Sequence, residues 1–109
     1  MRAEIRLRIG KDNNFMGKGL REILDAIDEY KSIKKASELT GISYPKVMRM
    51  LKTFKAELGF DAVTSQKGGS QHGGTELTEK GRAALECFRE IESEVADYAQ
   101  KLVREKFKY

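Results

Sequence analysis

Between Leu20 and Gly59 the apolar residues fall into three blocks of helical period, each bounded by residues that start or stop a helix. Leu20, Ile23, Leu24, Ile27 and Tyr30 recur at three- and four-residue spacing, which predicts an amphipathic helix ending near Lys31. Ser32 can cap a second, shorter helix with Ile33, Ala36 and Leu39 turned inward, and Gly41 follows where a left-handed residue closes a helix. Ser43 caps a third helix. Pro45 is tolerated in its first turn because the amide hydrogens there have no intrahelical acceptor. Val47, Leu51, Phe54 and Leu58 give that helix its apolar stripe.

On a wheel of 100° per residue those four side chains share one narrow sector, while Arg49, Lys52 and Ala56 point to the opposite side and Lys46 and Thr53 flank it. Met48 is the sole outward-leaning apolar residue. The third helix is also the centre of a charge block. From Lys31 to Lys55 the basic residues Lys31, Lys34, Lys35, Lys46, Arg49, Lys52 and Lys55 face the single acid Glu38, whereas the whole chain carries a formal charge of only +4. A solvated surface explains such a block, and so does a phosphate-binding face.

The flanks complete the outline. Ala3, Ile5, Leu7 and Ile9 alternate with Arg2, Glu4, Arg6 and Arg8, a period of two that predicts a strand over the first ten residues. Gly10 to Gly19 reads as a turn-rich connection. Downstream, Ala62 to Gln66 and Thr75 to Leu77 flank a glycine-rich run from Lys67 to Gly74, which predicts a hairpin or wing over residues 62–77. Thr78 can cap a last helix with Glu79 in its first turn, where a carboxylate suits the helix dipole. Along it Ala84, Phe88, Ile91, Val95, Tyr98 and Leu102 step by four and three residues, a heptad-like seam on a helix over residues 78–106, about 40 Å long at 1.5 Å per residue. So small a domain covers only part of such a helix, which points to a second copy against Phe88, Ile91, Val95, Tyr98 and Leu102. Packing on the domain's own first helix is the competing arrangement.

With 109 residues, 39% of them hydrophobic, the chain has material for one domain spanning residues 1–109. Its class is mainly α with a small β-hairpin, ending in a long carboxy-terminal dimerisation helix. The lone cysteine, Cys87, rules out an internal disulfide and a multi-cysteine metal site, and is more often a small buried residue than a redox sensor. No apolar run is long enough for a signal sequence or a membrane span, so a cytoplasmic chain without a membrane partner is expected. The glycine-rich run lacks the Gly-Lys-Ser/Thr ending of a nucleotide-binding loop, and the single histidine, His72, has no partner for ligating a metal. Neither a cofactor nor catalysis is expected.

The segment Ser32 to Leu51, with Ala36, Gly41-Ile42-Ser43-Tyr44 and Arg49, resembles the helix-turn-helix of the LysR-type and of the molybdate-responsive ModE-type regulators of prokaryotes. The run Lys67-Gly68-Gly69 to Gly73-Gly74, followed by Leu77-Thr78 and Gly81, is similar to the ModE wing and the start of its next helix. Pro45 is closer to the LysR pattern. The resemblance implies a winged helix-turn-helix that binds DNA as a dimer through its long helices. In that family a separate carboxy-terminal domain binds molybdate, and nothing in these 109 residues corresponds to it, so molybdate sensing is not carried over.

The resulting expectation is a transcriptional regulator that binds double-stranded DNA at an inverted-repeat operator as a homodimer. Arg49 and Tyr44 would read base edges, and Lys46, Lys52 and Ser43 would hold phosphates, with Lys34 in the same basic block. For Tyr44 the alternative is a place partly over the core, and for Arg49 plain solvation. Lys67, Ser70, Gln71 and His72 would add contacts from the hairpin tip, which is otherwise an ordinary loop. From another class, a winged helix can serve as a protein-interaction adaptor, and the cationic outer face of the third helix argues for DNA instead.

Overall fold

The computed structural model describes residues 1–66 and 74–109. In chain order it contains β1 (Arg8–Gly10), β2 (Asn14–Gly17), α1 (Lys18–Tyr30), α2 (Ile33–Thr40), α3 (Tyr44–Leu58), β3 (Val63–Gln66), β4 (Gly74–Leu77) and α4 (Glu79–Lys106). The architecture is mainly helical, with two antiparallel two-stranded sheets and a long last helix.

The helix boundaries follow the expected chemistry. The Ser32 Oγ accepts the Lys35 amide hydrogen at 3.0 Å, and the Ser43 Oγ accepts that of Lys46 at 3.3 Å. Gly41 closes α2 at φ +76°, in the left-handed region where a Cβ is strained. Pro45 sits in the first turn of α3. Leu20, Ile23, Leu24 and Ile27 of α1 are buried against Ala36, Val47 and Phe54, while Ile33, Leu51 and Leu58 pack on the same core half-buried. Phe54 is its aromatic centre, edge-to-face with Phe15 at 6.0 Å and with Phe60 at 5.4 Å. Leu39 departs from the expectation, being 52% exposed. The inward arc of α2 runs through Ile33, Ala36, Ser37 and Thr40, and a residue three beyond Ala36 lies well off its centre.

The amino terminus is a second correction. Only Arg8–Gly10 of the expected ten-residue strand is strand, and it pairs with Asn14–Gly17, which the sequence presents as a connection. Alternation sets which side chains share a face, but a strand also needs a partner for its amide and carbonyl groups, and β2 supplies only four residues. Ile5 is exposed. The chain start bonds to the long helix instead: the Ala3 amide donates to the Gln100 Oε1 at 2.9 Å, and the Gln100 Nε2 donates to the Met1 carbonyl at 3.1 Å.

Strands β3 and β4 pair antiparallel in the register Val63↔Leu77 to Gln66↔Gly74. The base of this hairpin is bound to both neighbouring helices. The Thr75 amide donates to the Lys31 carbonyl at the end of α1 (2.9 Å), and the Thr78 amide donates to the Ala62 carbonyl (2.9 Å). The Thr78 Oγ1 donates to the Asp61 carbonyl at 2.6 Å and accepts the Gly81 amide hydrogen at 2.8 Å, the expected cap of α4. The hairpin residues Lys67, Ser70, Gln71 and His72 lie outside the described residues.

Helix α4 spends its first three turns in the core, burying Gly81, Leu85 and Phe88. Charge pairs fasten the same stretch to α1: Arg82 forks onto Asp28 at 2.6 and 3.0 Å, Arg89 pairs with Asp25, and Arg21 pairs with Glu92 at 3.0 Å. The Arg82 guanidinium holds the Asp28 carboxyl below its ordinary value, chiefly by hydrogen bonding, while Asp28 raises Arg82 in turn. Beyond Phe88 no residue of α4 is fully buried. A compact chain of this length has a radius of gyration near 13 Å, against 16.4 Å here, with a long axis of 61 Å.

Candidate nucleic-acid interface

The wheel that turns Val47 and Phe54 wholly inward turns Lys46, Arg49 and Lys52 outward, and all three are exposed. None has a carboxylate within ion-pair distance among the described residues, whereas Lys55 on the same helix is paired with Asp61 at 3.2 Å. An unpaired cation keeps its full charge for an anion arriving from solution.

Opposite this edge stands the β1–β2 hairpin, held in place by two contacts from α3. Phe15 packs on Phe54, and the Glu57 carboxylate, 9% exposed, accepts the Asn13 amide hydrogen at 2.6 Å in the hairpin turn. Helix, hairpin and the start of α1 enclose an open groove of about 620 Å³. Its cationic lining comes from Arg6 and Arg8 of the chain start, Lys18 of α1, and Lys46 and Arg49 of α3, with Glu22 as the one carboxylate. Phe15, Met16 and Met50 contribute apolar lining. A smaller cleft beside it joins Lys52 and Thr53 to Asn13 and Asn14.

The expected residues therefore divide. Lys46 and Arg49 are brought together in the groove, and Lys52 lines the adjoining cleft. Ser43, Tyr44 and Lys34 are exposed but line neither concavity; the Ser43 hydroxyl oxygen is engaged in capping, and Tyr44 is 49% exposed. Sequence reasoning missed Arg6, Arg8 and Lys18, because the arginines read as the polar side of a strand. It also missed Glu57, though a carboxylate three residues after Phe54 on the apolar stripe was a visible sign of a buried acceptor.

On α4, Phe88 is 1% exposed in the domain's own core, which corrects its place on an outward seam. Of the remaining seam, Ile91, Val95 and Tyr98 are exposed at 36%, 38% and 61%, and Leu102 is half-buried. Cys87 is exposed rather than buried. Among the described residues no group of three or more histidine, cysteine or acidic side chains is placed to hold a metal, and no helix is long and apolar enough to cross a membrane. Comparison of the chain with protein-family models and with curated protein sequences gives no match.

Proposed function

We propose that this chain is a winged helix-turn-helix module, with α3 as recognition helix and β3–β4 as wing, that binds double-stranded DNA in a sequence-specific manner as a dimeric transcriptional regulator. The observation that carries the proposal is the division of α3: Val47 and Phe54 are fully buried, while Lys46, Arg49 and Lys52 are exposed and without an ion-pair partner among the described residues. A helix held on one side by its domain and cationic on the other has what insertion into the major groove requires. The resemblance to the ModE-type and LysR-type regulators supports the same reading and adds no effector to it.

Dimerisation through α4 rests on Ile91, Val95 and Tyr98, which continue the core stripe past the point where the domain stops covering it. Two copies related by a two-fold axis would set their α3 helices on half-sites one or more helical turns apart, about 34 Å per turn. An adaptor that binds a protein is favoured by a different feature, the exposed apolar side chains Leu39, Tyr44 and Met48.

Selection from a pool of random duplexes, with binding repeated at two salt concentrations, separates the two. An enriched inverted repeat whose affinity falls steeply with salt is the expected result. Retention of no duplex, or of all duplexes equally weakly, overturns sequence-specific binding and leaves the adaptor.

A further inference from the structure

The groove between α3 and the β1–β2 hairpin contains arginines that the major-groove reading leaves unused. Arg6 and Arg8 are exposed and have no carboxylate partner among the described residues, in contrast to Arg2, whose guanidinium pairs with Glu4 at 2.7 Å. Arg8 is not on a loose tail. Its strand is registered on β2, with Arg8 opposite Gly17, and the next residue, Ile9, packs on the core. The buried Glu57 carboxylate fixes the hairpin turn to α3 itself. Arg6 and Arg8 thus line the same groove as Lys46 and Arg49, with Arg8 on a strand registered against β2.

We infer that this groove receives one sugar-phosphate strand of the duplex, with Arg6 and Arg8 as phosphate ligands on the side away from the recognition helix. The inference rests on the DNA reading above and adds a second, sequence-independent contact to it. Two features select a nucleic-acid strand over a free anion. Five cationic side chains from the chain start, α1 and α3 line the groove against one carboxylate, more than a single small anion needs. Phe15, Met16 and Met50 add apolar lining that suits the carbon face of a deoxyribose, whereas a hydrated inorganic anion gains nothing there. Arginine on phosphate positions a protein on the duplex without reading its sequence.

The test is the salt dependence of binding, on the selected duplex and on a random one, for the wild type, for the double variant Arg6→Ala with Arg8→Ala, and for a control that removes the same charge outside the groove lining, Lys106→Ala with Lys108→Ala. Removing one phosphate ligand lowers the slope of log affinity against log salt by about 0.9, and the dimer loses four such ligands, two per copy, so the slope of the arginine variant is expected to fall by about 3.6. At 0.1 M salt this is roughly four-thousandfold weaker binding, by the same factor on both duplexes, while the control keeps the wild-type slope. An unchanged slope in the arginine variant, or an equal fall in the control, overturns the inference with DNA binding intact. Inorganic phosphate that competes with DNA for the wild type but not for the arginine variant, at unchanged slope, overturns it in favour of a free-anion site. A wild type that binds no duplex overturns both this inference and the function on which it rests.

Discussion

Replacing Gly81 by alanine sets two physical effects against each other and lets the sign decide. Gly81 is the third residue of α4, and by helix propensity alone alanine there is the better residue, by up to about 1 kcal/mol. The tertiary structure reverses this. A Cβ at position 81 would stand 2.1 Å from the Ala62 carbonyl oxygen and 2.8 Å from its carbonyl carbon, where ordinary contact begins near 3.4 Å. Backbone, not a flexible side chain, would have to retreat by about 1 Å, and the same Ala62 carbonyl accepts the Thr78 amide hydrogen. Overpacking of this kind costs about 1–3 kcal/mol, and each hydrogen bond weakened by the shift adds about 0.5–1.5 kcal/mol. The net expectation is a loss of about 1–3 kcal/mol. With an unfolding entropy of about 2.1 cal/mol/K per residue, this lowers Tm by roughly 4–13 °C. Urea unfolding followed by far-ultraviolet circular dichroism, at one fixed protein concentration because a dimer's stability depends on it, measures the difference. Ala83→Gly, at an exposed position of the same helix, calibrates the propensity term. A Gly81→Ala protein as stable as the wild type, or more so, would refute the close approach of α4 to Ala62.

Three further outcomes are expected. Arg49→Ala is expected to weaken binding to the selected duplex by about 1–3 kcal/mol and relax selectivity at one base pair, read by competition with single-base variants of the site; retained selectivity would show that Arg49 reads no base. Because the folded Asp28 carboxyl lies below its ordinary 3.8, the unfolded chain takes up the proton first on acidification, so the Asp28–Arg82 contribution is present at neutral pH and disappears as pH falls through the range just below that value. The stability gap between wild type and Arg82→Ala, from urea midpoints, is therefore expected to close in acid, and a gap independent of pH would contradict this. Val95→Asp puts a charge in the middle of the exposed α4 seam and is expected to convert a dimer into a monomer by light scattering without disturbing the helical dichroism; an unchanged mass would place the dimer contact elsewhere.

Local chemistry was sufficient for the helical half of the fold. Ser32, Gly41, Ser43, Pro45 and Thr78 act within three or four residues of themselves, through capping bonds and allowed backbone angles, so they mark helix ends whatever the rest of the chain does. The same holds for the outward placement of Lys46, Arg49 and Lys52, which needs only the 3.6-residue period and a knowledge of which stripe is apolar.

The β1–β2 hairpin needed more than its own residues. Alternation along Ala3 to Ile9 is equally consistent with a long strand and with a short one, and the length was decided by β2 and by Gln100, almost a hundred residues away. Leu39 and Phe88 are exceptions of the same origin: each lies on an apolar stripe, but exposure depends on which neighbour reaches it, so α2 leaves Leu39 outside while α4 carries Phe88 into the core.

By itself, then, the sequence determined the three helices from Leu20 to Gly59, the capped start of α4 and the cationic outer edge of α3, because periodicity, capping and charge are properties of neighbouring residues. Only the tertiary structure decided that Arg6, Arg8 and Lys18 line one groove with Lys46 and Arg49, since their proximity depends on Glu57 and Phe54 binding a hairpin some forty residues earlier in the chain.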